Sequence, residues 1–230
     1  MVKKGPGRHL RRYAVPRAVK LPRKSFPWAV KPGPGPHPSD RSLPLSLLLR
    51  DTLGLTSTLS EAKKVLAGRK VLVDGRVRTD HRFPVGLMDL VSLPSLGTSF
   101  LISVDRNGRL VPLPTREASS KLCRVVGKRT LEGGRIQLAL HDGKTVAGDY
   151  GEVRVGDTLR LSLPGHQVLE RIPLQPGIWA LVTGGKNVGR SGRIAVVEGR
   201  RVELERDGER FQAPPEYVFP VGEKPLEVGA

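Results

Sequence analysis

The sequence predicts an α+β chain that is mostly β: an extended basic N-terminal arm, a small unit of helices and a hairpin, a central barrel-like β domain and a small C-terminal barrel. Three observations predict it. Of 230 residues 27 are Gly and 20 are Pro, which favours many turns and short strands over long helices. Hydrophobic residues reach 38 % and aromatic residues only 4 %, so any core is assembled from Leu, Val and Ile in small units. Turn dipeptides at Asp74-Gly75, Asn107-Gly108, Gly133-Gly134, Asp142-Gly143 and Gly156-Asp157 separate short apolar runs, as hairpins require.

The arm is residues 1–41. It carries Lys3, Lys4, Arg8, Arg11, Arg12, Arg17, Lys20, Arg23 and Lys24, and more than half of the chain's net charge of +17 lies before residue 41. So uneven a charge calls for a polyanionic partner. An acidic membrane surface would need an amphipathic helix, which the eight prolines between Pro6 and Pro38 forbid. Nucleic acid remains, with Tyr13, Phe26 and Trp28 available to stack on bases or to pack on a partner. Scarce aliphatics predict that the arm has no core of its own and is ordered by RNA.

Residues 42–97 form the helical unit. Ser42 is a candidate cap for a helix through Leu53, ending at Gly54. Thr58 and Glu61 have capping-box spacing for a second helix, with Leu59, Ala62 and Leu66 as its apolar stripe and Gly68 at its end. Val71–Arg78 reads as a hairpin about Asp74-Gly75, and Leu87–Leu93 as a further strand. Lys63 and Lys64 fall opposite the stripe, and Arg69 and Lys70 follow the helix. Strand alternation sets Arg76 and Arg78 away from Val77, which is expected to face the core. Six cations thus share one small unit, a pattern suited to phosphate contacts.

Residues 98–172 read as a central β domain and residues 173–230 as the C-terminal barrel. The latter contains Trp179–Val182, a glycine-rich loop and the β-branched run Ile194–Val197. In the loop, Gly184, Gly185, Gly189 and Gly192 permit positive φ and close backbone approach to phosphate, while Lys186, Arg190 and Arg193 supply charge. Gly184 to Ser191 is one residue from a nucleotide-binding P-loop. That motif needs Lys where Arg190 stands and must open a helix, whereas a strand-like run follows here.

No catalytic residue, metal or cofactor is expected. His9, His37, His81, His141 and His166 are scattered, and the single Cys123 sits in an apolar run as a small buried hydrophobe. No apolar stretch is long enough to span a bilayer, and the start of the chain lacks a secretory signal, so a cytoplasmic location is expected.

The stretch from Ser42 to about Leu93, with Ser60–Leu66 followed by Lys70–Val77, resembles the S4 RNA-binding domain, whose paired helices and hairpin form the RNA-contacting surface. Val182–Ile194 resembles the KOW motif of ribosomal and transcription-elongation proteins, which implies an SH3-like barrel. In order along the chain, His9–Pro16, Gly35-Pro36-His37, Gly75–Asp80, Phe83–Asp89 and the loop at 182–194 resemble the archaeal and eukaryotic S4e family of the small ribosomal subunit, and the lack of a basic tail before Ala230 resembles its archaeal members. The resemblance implies a structural protein of translation without catalysis, with small-subunit rRNA and neighbouring ribosomal proteins as partners and neither membrane nor small-molecule substrate. An extra-ribosomal RNA-binding or transcription-associated KOW factor is the alternative.

Overall fold

The computed structural model describes residues 9–22, 24, 26–116 and 119–226. The chain is mostly β and divides into two compact units. The first comprises residues 1–102 and 109–114, and the second 103–108 and 115–230.

In the first unit, β1 (Leu10–Arg11) pairs with β2 (Trp28–Ala29), and β3 (Leu43–Pro44) pairs with β6 (Pro84–Val85). Two helices follow β3. The first, α1 (Leu45–Leu47), widens into a π turn at Leu48–Thr52, where the Leu53 N–H reaches back to the Leu48 carbonyl; the second is α2 (Leu59–Ala67). The main sheet has the order β5-β4-β7-β8-β9, built from β4 (Leu72–Val73), β5 (Arg76–Val77), β7 (Leu90–Leu93), β8 (Thr98–Val104) and β9 (Leu110–Thr115). The hairpin β8–β9, expected in the central domain, is therefore hydrogen-bonded to the sheet of the helical unit.

The first helix begins later than Ser42 suggested. Pro44 is extended (φ −58°, ψ 136°) and lies opposite Pro84, so helical geometry cannot start before Leu45. The amides of Leu45 and Ser46 donate to the carbonyls of Phe83 and His81, so distant backbone replaces a side-chain cap. The strand expected over Leu87–Leu93 also shortens, because Met88 is left-handed (φ 62°) and only Leu90–Leu93 is extended.

The largest correction concerns the arm. Val15, Ala18 and Val19 are buried in the same core as Leu43, Leu45, Leu47–Leu49, Leu66, Val71, Val73 and Val91, with Leu10, Leu21, Ala29 and Val30 packed against it. Ala18 accepts a hydrogen bond from the Leu110 amide, and Gly33 donates to the Arg82 carbonyl. His37 Nε2 lies 3.0 Å from Asp89 Oδ1, with both side chains buried. Val15, Ala18 and Val19 thus belong to the core of the helical unit, where the sequence predicted an arm without one. The arm's prolines lower the entropy lost on fixing extended segments.

The second unit contains two five-stranded antiparallel sheets. The first has the order β12-β11-β10-β13-β14, from β10 (Ser120–Thr130), β11 (Ile136–Leu140), β12 (Thr145–Gly148), β13 (Thr158–Ser162) and β14 (Val168–Ile172). Strand β10 pairs with β13 through its first half and with β11 through its second. The register shifts between Val125 and Gly127, a bulge that bends the strand around a core of Cys123, Val125, Leu138, Leu140, Val153, Leu159 and Leu161. The second sheet has the order β18-β17-β16-β15-β19, from β15 (Trp179–Val182), β16 (Ser191–Glu198), β17 (Arg201–Arg206), β18 (Glu209–Ala213) and β19 (Val218–Gly222). Its core is Ala180, Val182, Ile194, Val202, Leu204, Phe211, Ala213 and Val218.

Candidate nucleic-acid interface

The cationic face of the helical unit is fixed by local chemistry. Glu61 N–H donates to Thr58 Oγ1 (3.2 Å), while Glu61 Oε2 accepts from the Ser57 (2.8 Å) and Thr58 (3.3 Å) amides. These backbone bonds hold the Glu61 carboxyl below its ordinary pKa. The capping box sets the phase of α2, which buries Ala62 and Leu66 and exposes Lys63 and Lys64. After Gly68 the chain turns through a left-handed Arg69 (φ 56°), leaving Arg69 and Lys70 exposed. Asp74 (φ 52°) and Gly75 (φ 73°) form the tight turn between β4 and β5, as hairpin twist requires. Buried Asp74 also anchors the hairpin, exchanging backbone and carboxylate hydrogen bonds with Leu90.

Five of the six expected cations of this unit are exposed: Lys63, Lys64, Arg69, Lys70 and Arg76. The sixth differs. Arg78 is half-buried with its guanidinium 4.3 Å from the centre of the Phe83 ring, while Val77 is exposed on the short edge strand. The expected alternation at β5 fails because a two-residue edge strand covers little of the sheet face. The face also includes His81, which carries no signal in the sequence. Burial, then the nearby Lys63 ammonium, lowers its pKa against the opposing pull of Asp80.

In the arm, Arg11, Arg17, Lys20 and Lys24 are exposed. Arg12 is 2 % exposed and lies over the Phe26 ring at 5.4 Å, which removes it from the surface set. Lys3, Lys4, Arg8 and Arg23 lie outside the described residues. Tyr13, Phe26 and Trp28 are exposed, and Trp28 sits beside His9 at a ring distance of 5.4 Å.

The glycine-rich loop spans residues 183–190 between β15 and β16. Gly185 (φ 77°) and Gly189 (φ 76°) are left-handed, as expected. Gly184 and Gly192 are not, and both are instead close-packing positions. A Cβ on Gly184 would meet the Tyr217 ring at 2.8 Å, and one on Gly192 would meet the Glu205 carbonyl and Phe211 at 3.1 Å. Lys186 is exposed. Arg190 lies 4.8 Å from the centre of the Phe211 ring and pairs with Glu209 at 2.6 Å. Arg193 is exposed on β16, outside the loop proper. A strand follows the loop where a P-loop would open a helix. Among the described residues, no three His, Cys, Asp or Glu side chains are grouped to hold a metal, and no helix is long and apolar enough to cross a membrane.

Comparison with known proteins gives this arrangement its context. The family models described as RS4NT domain, S4 domain and Ribosomal family S4e match residues 4–40, 45–91 and 96–168 in succession. The chain is 43 % identical to the small ribosomal subunit protein eS4 of Methanocaldococcus jannaschii, over 97 % of this chain and 98 % of the relative. The chain belongs to the ribosomal S4e family. The eS4 protein of Desulfurococcus amylolyticus is 42 % identical over 96 % of this chain and 95 % of its own length. The crystal structure of the 30S ribosomal protein S4e from Thermoplasma acidophilum matches with a TM-score of 0.71 at 34 % identity, covering 80 % of this chain and 96 % of that one.

Proposed function

We propose that this S4e-family chain is a structural, RNA-binding constituent of the small ribosomal subunit, located with the ribosome in the cytoplasm. It has no catalytic role. Its partners are small-subunit rRNA and neighbouring ribosomal proteins, with no membrane and no small-molecule substrate. The observation that carries this reading is the exposed set Lys63, Lys64, Arg69, Lys70 and Arg76, projected from one capped helix and one tight hairpin in the segment matched by the S4 domain. Cations on a rigid scaffold meet phosphates without first losing side-chain and backbone freedom together.

Four functional segments follow from the same reading: a basic extension over 1–41, an S4-like RNA-binding domain over 42–97, a central β domain over 98–172 whose first hairpin, β8–β9, continues the sheet of the S4-like domain, and an SH3-like KOW barrel over 173–230. In the extension, Arg11, Arg17, Lys20 and Lys24 contact phosphate, with Lys3, Lys4, Arg8 and Arg23 as further contacts. Tyr13, Phe26 and Trp28 offer rings to unpaired bases. In the barrel, Lys186, Arg190 and Arg193 approach RNA around the glycine-rich loop. The test is sedimentation of tagged protein with small subunits. It is expected to stay with them through a high-salt wash, and release into the free fraction overturns the assignment.

A further inference from the structure

Beside the glycine-rich loop, the second unit holds a cavity of about 470 Å3. That volume falls within the roughly 300–1,000 Å3 of ligand-sized sites. Three arginines line it, each from a different turn: Arg106 at the β8–β9 tip, Arg190 at the end of the loop and Arg206 at the start of the β17–β18 turn, with Asp207 and Glu209 beside them. Arg106 has no carboxylate partner among the described residues. Arg206 donates to Ser191 Oγ at 2.6 Å and through Nε to the exposed Asp207 carboxylate at 3.3 Å, and the hydroxyl of the buried serine keeps its own hydrogen to donate. Arg190 is held by Glu209, whose carboxylate is largely exposed. The wall is preformed, since left-handed Gly189 lies directly against the Asp105 and Arg106 backbone, where any Cβ would collide. Three cations and a hydroxyl outnumber the two exposed carboxylates of the lining, Asp207 and Glu209, and this net positive concavity suits a tetrahedral oxyanion, to whose oxygens guanidinium groups donate.

We propose that this cavity takes one backbone phosphate of RNA among Arg106, Arg190 and Arg206, and that Glu209 is the internal carboxylate the phosphate displaces from Arg190. This rests on the RNA-binding reading and adds to it a defined phosphate position, two arginines and a competing acid. Occupation leaves the exposed Glu209 to water while Arg190 exchanges one oxyanion for another.

The test compares full-length protein with Arg106→Ala, Glu209→Gln and the charge-matched control Glu198→Gln, each titrated with small-subunit rRNA transcript over a salt series and with inorganic phosphate. Arg106→Ala is expected to lower the slope of log affinity against log salt by roughly 0.7 to 0.9, the value for one phosphate no longer neutralised. Glu209→Gln is expected to raise RNA affinity several-fold more than Glu198→Gln, because it frees Arg190 as well as removing a charge. Unless both shifts appear, the proposal fails. Inorganic phosphate binding that depends on Arg106 while the RNA slope is unchanged assigns the cavity to a free anion and also overturns it. Wild-type protein that shows no salt-dependent RNA binding refutes the RNA-binding reading itself, which separates the two failures.

Discussion

Lys121 donates to Asp142 Oδ2 at 3.1 Å with both side chains almost wholly buried, and Lys144 approaches the same oxygen at 3.2 Å. Burial alone would raise the Asp142 pKa, but the two ammonium groups outweigh it and hold the carboxyl well below its ordinary value. The Cys123 thiol donates to the same oxygen at 3.7 Å, so one carboxylate ties β10 to the β11–β12 turn.

This pair predicts how the second unit unfolds. Asp142→Ala removes the buried carboxylate that Lys121 and Lys144 share and is expected to destabilise by about 3–5 kcal/mol, read from denaturant midpoints. Because the folded pKa is depressed, the stabilisation is fully present above the unfolded value near 3.8 and is lost as pH falls below it. Wild-type stability should drop on acidification through that range. In Asp142→Ala the drop should be smaller, and equal slopes in both proteins would remove Asp142 as its source.

The cationic face predicts a salt effect without a folding effect. Replacing Lys63, Lys64, Arg69 and Lys70 by Ala is expected to weaken binding to small-subunit rRNA and to flatten its salt dependence by roughly 0.7 to 0.9 for each phosphate no longer neutralised. All four side chains are exposed, so each change should shift stability by about 0.5 kcal/mol or less. An unchanged salt slope would show that this face does not meet RNA.

What the sequence made legible was local. The capping box at Thr58 and Glu61 and the turn at Asp74-Gly75 need only residues within a few positions, and both stand as the pattern implies. The start of α1 was not legible, because its first amides bond to Phe83 and His81, far along the chain. Met88 carries no turn signal, yet it is left-handed beside buried Asp89, which accepts from the Gly86 amide. Gly192 shows the same limit from the other side. A glycine reads as a turn, but here it is small because β17 and Phe211 need the space. Arg106 and Arg206 carry no signal of their own although each precedes a turn dipeptide, Asn107-Gly108 and Asp207-Gly208, since only the fold brings those turns to one cavity.

The arm predicts a change in stability where a disordered tail would give none. Val15 and Val19 are buried with the leucines of α1, so Val19→Ala is expected to cost about 2 kcal/mol from reduced burial and the cavity left behind. Deleting residues 1–40 should expose that core and lower the unfolding midpoint of the first unit. In RNA-free protein, trypsin is expected to spare the bond after buried Arg12. Rapid cleavage there, with no stability change in Val19→Ala, would show that the arm is not packed on this core in solution.

The loop glycines predict two different kinds of damage. At Gly192 the backbone is ordinary strand, so Gly192→Val fails by crowding alone: its Cβ meets the Glu205 carbonyl and Phe211 at 3.1 Å and Leu204 at 3.3 Å. At Gly189 a side chain meets both a left-handed φ of 76° and the backbone of Asp105 and Arg106. Trimming Phe211 to Leu should therefore recover part of the stability of Gly192→Ala and none of that of Gly189→Ala, measured by thermal unfolding of the single and double variants. Arg190→Lys completes the letters of a P-loop but leaves a strand where the helix N-terminus must be, so it should bind no ATP by calorimetry. Measurable ATP affinity in that variant would mean that the loop can present its amides to a triphosphate without a helix behind it, and the strand-based exclusion of nucleotide binding would fall.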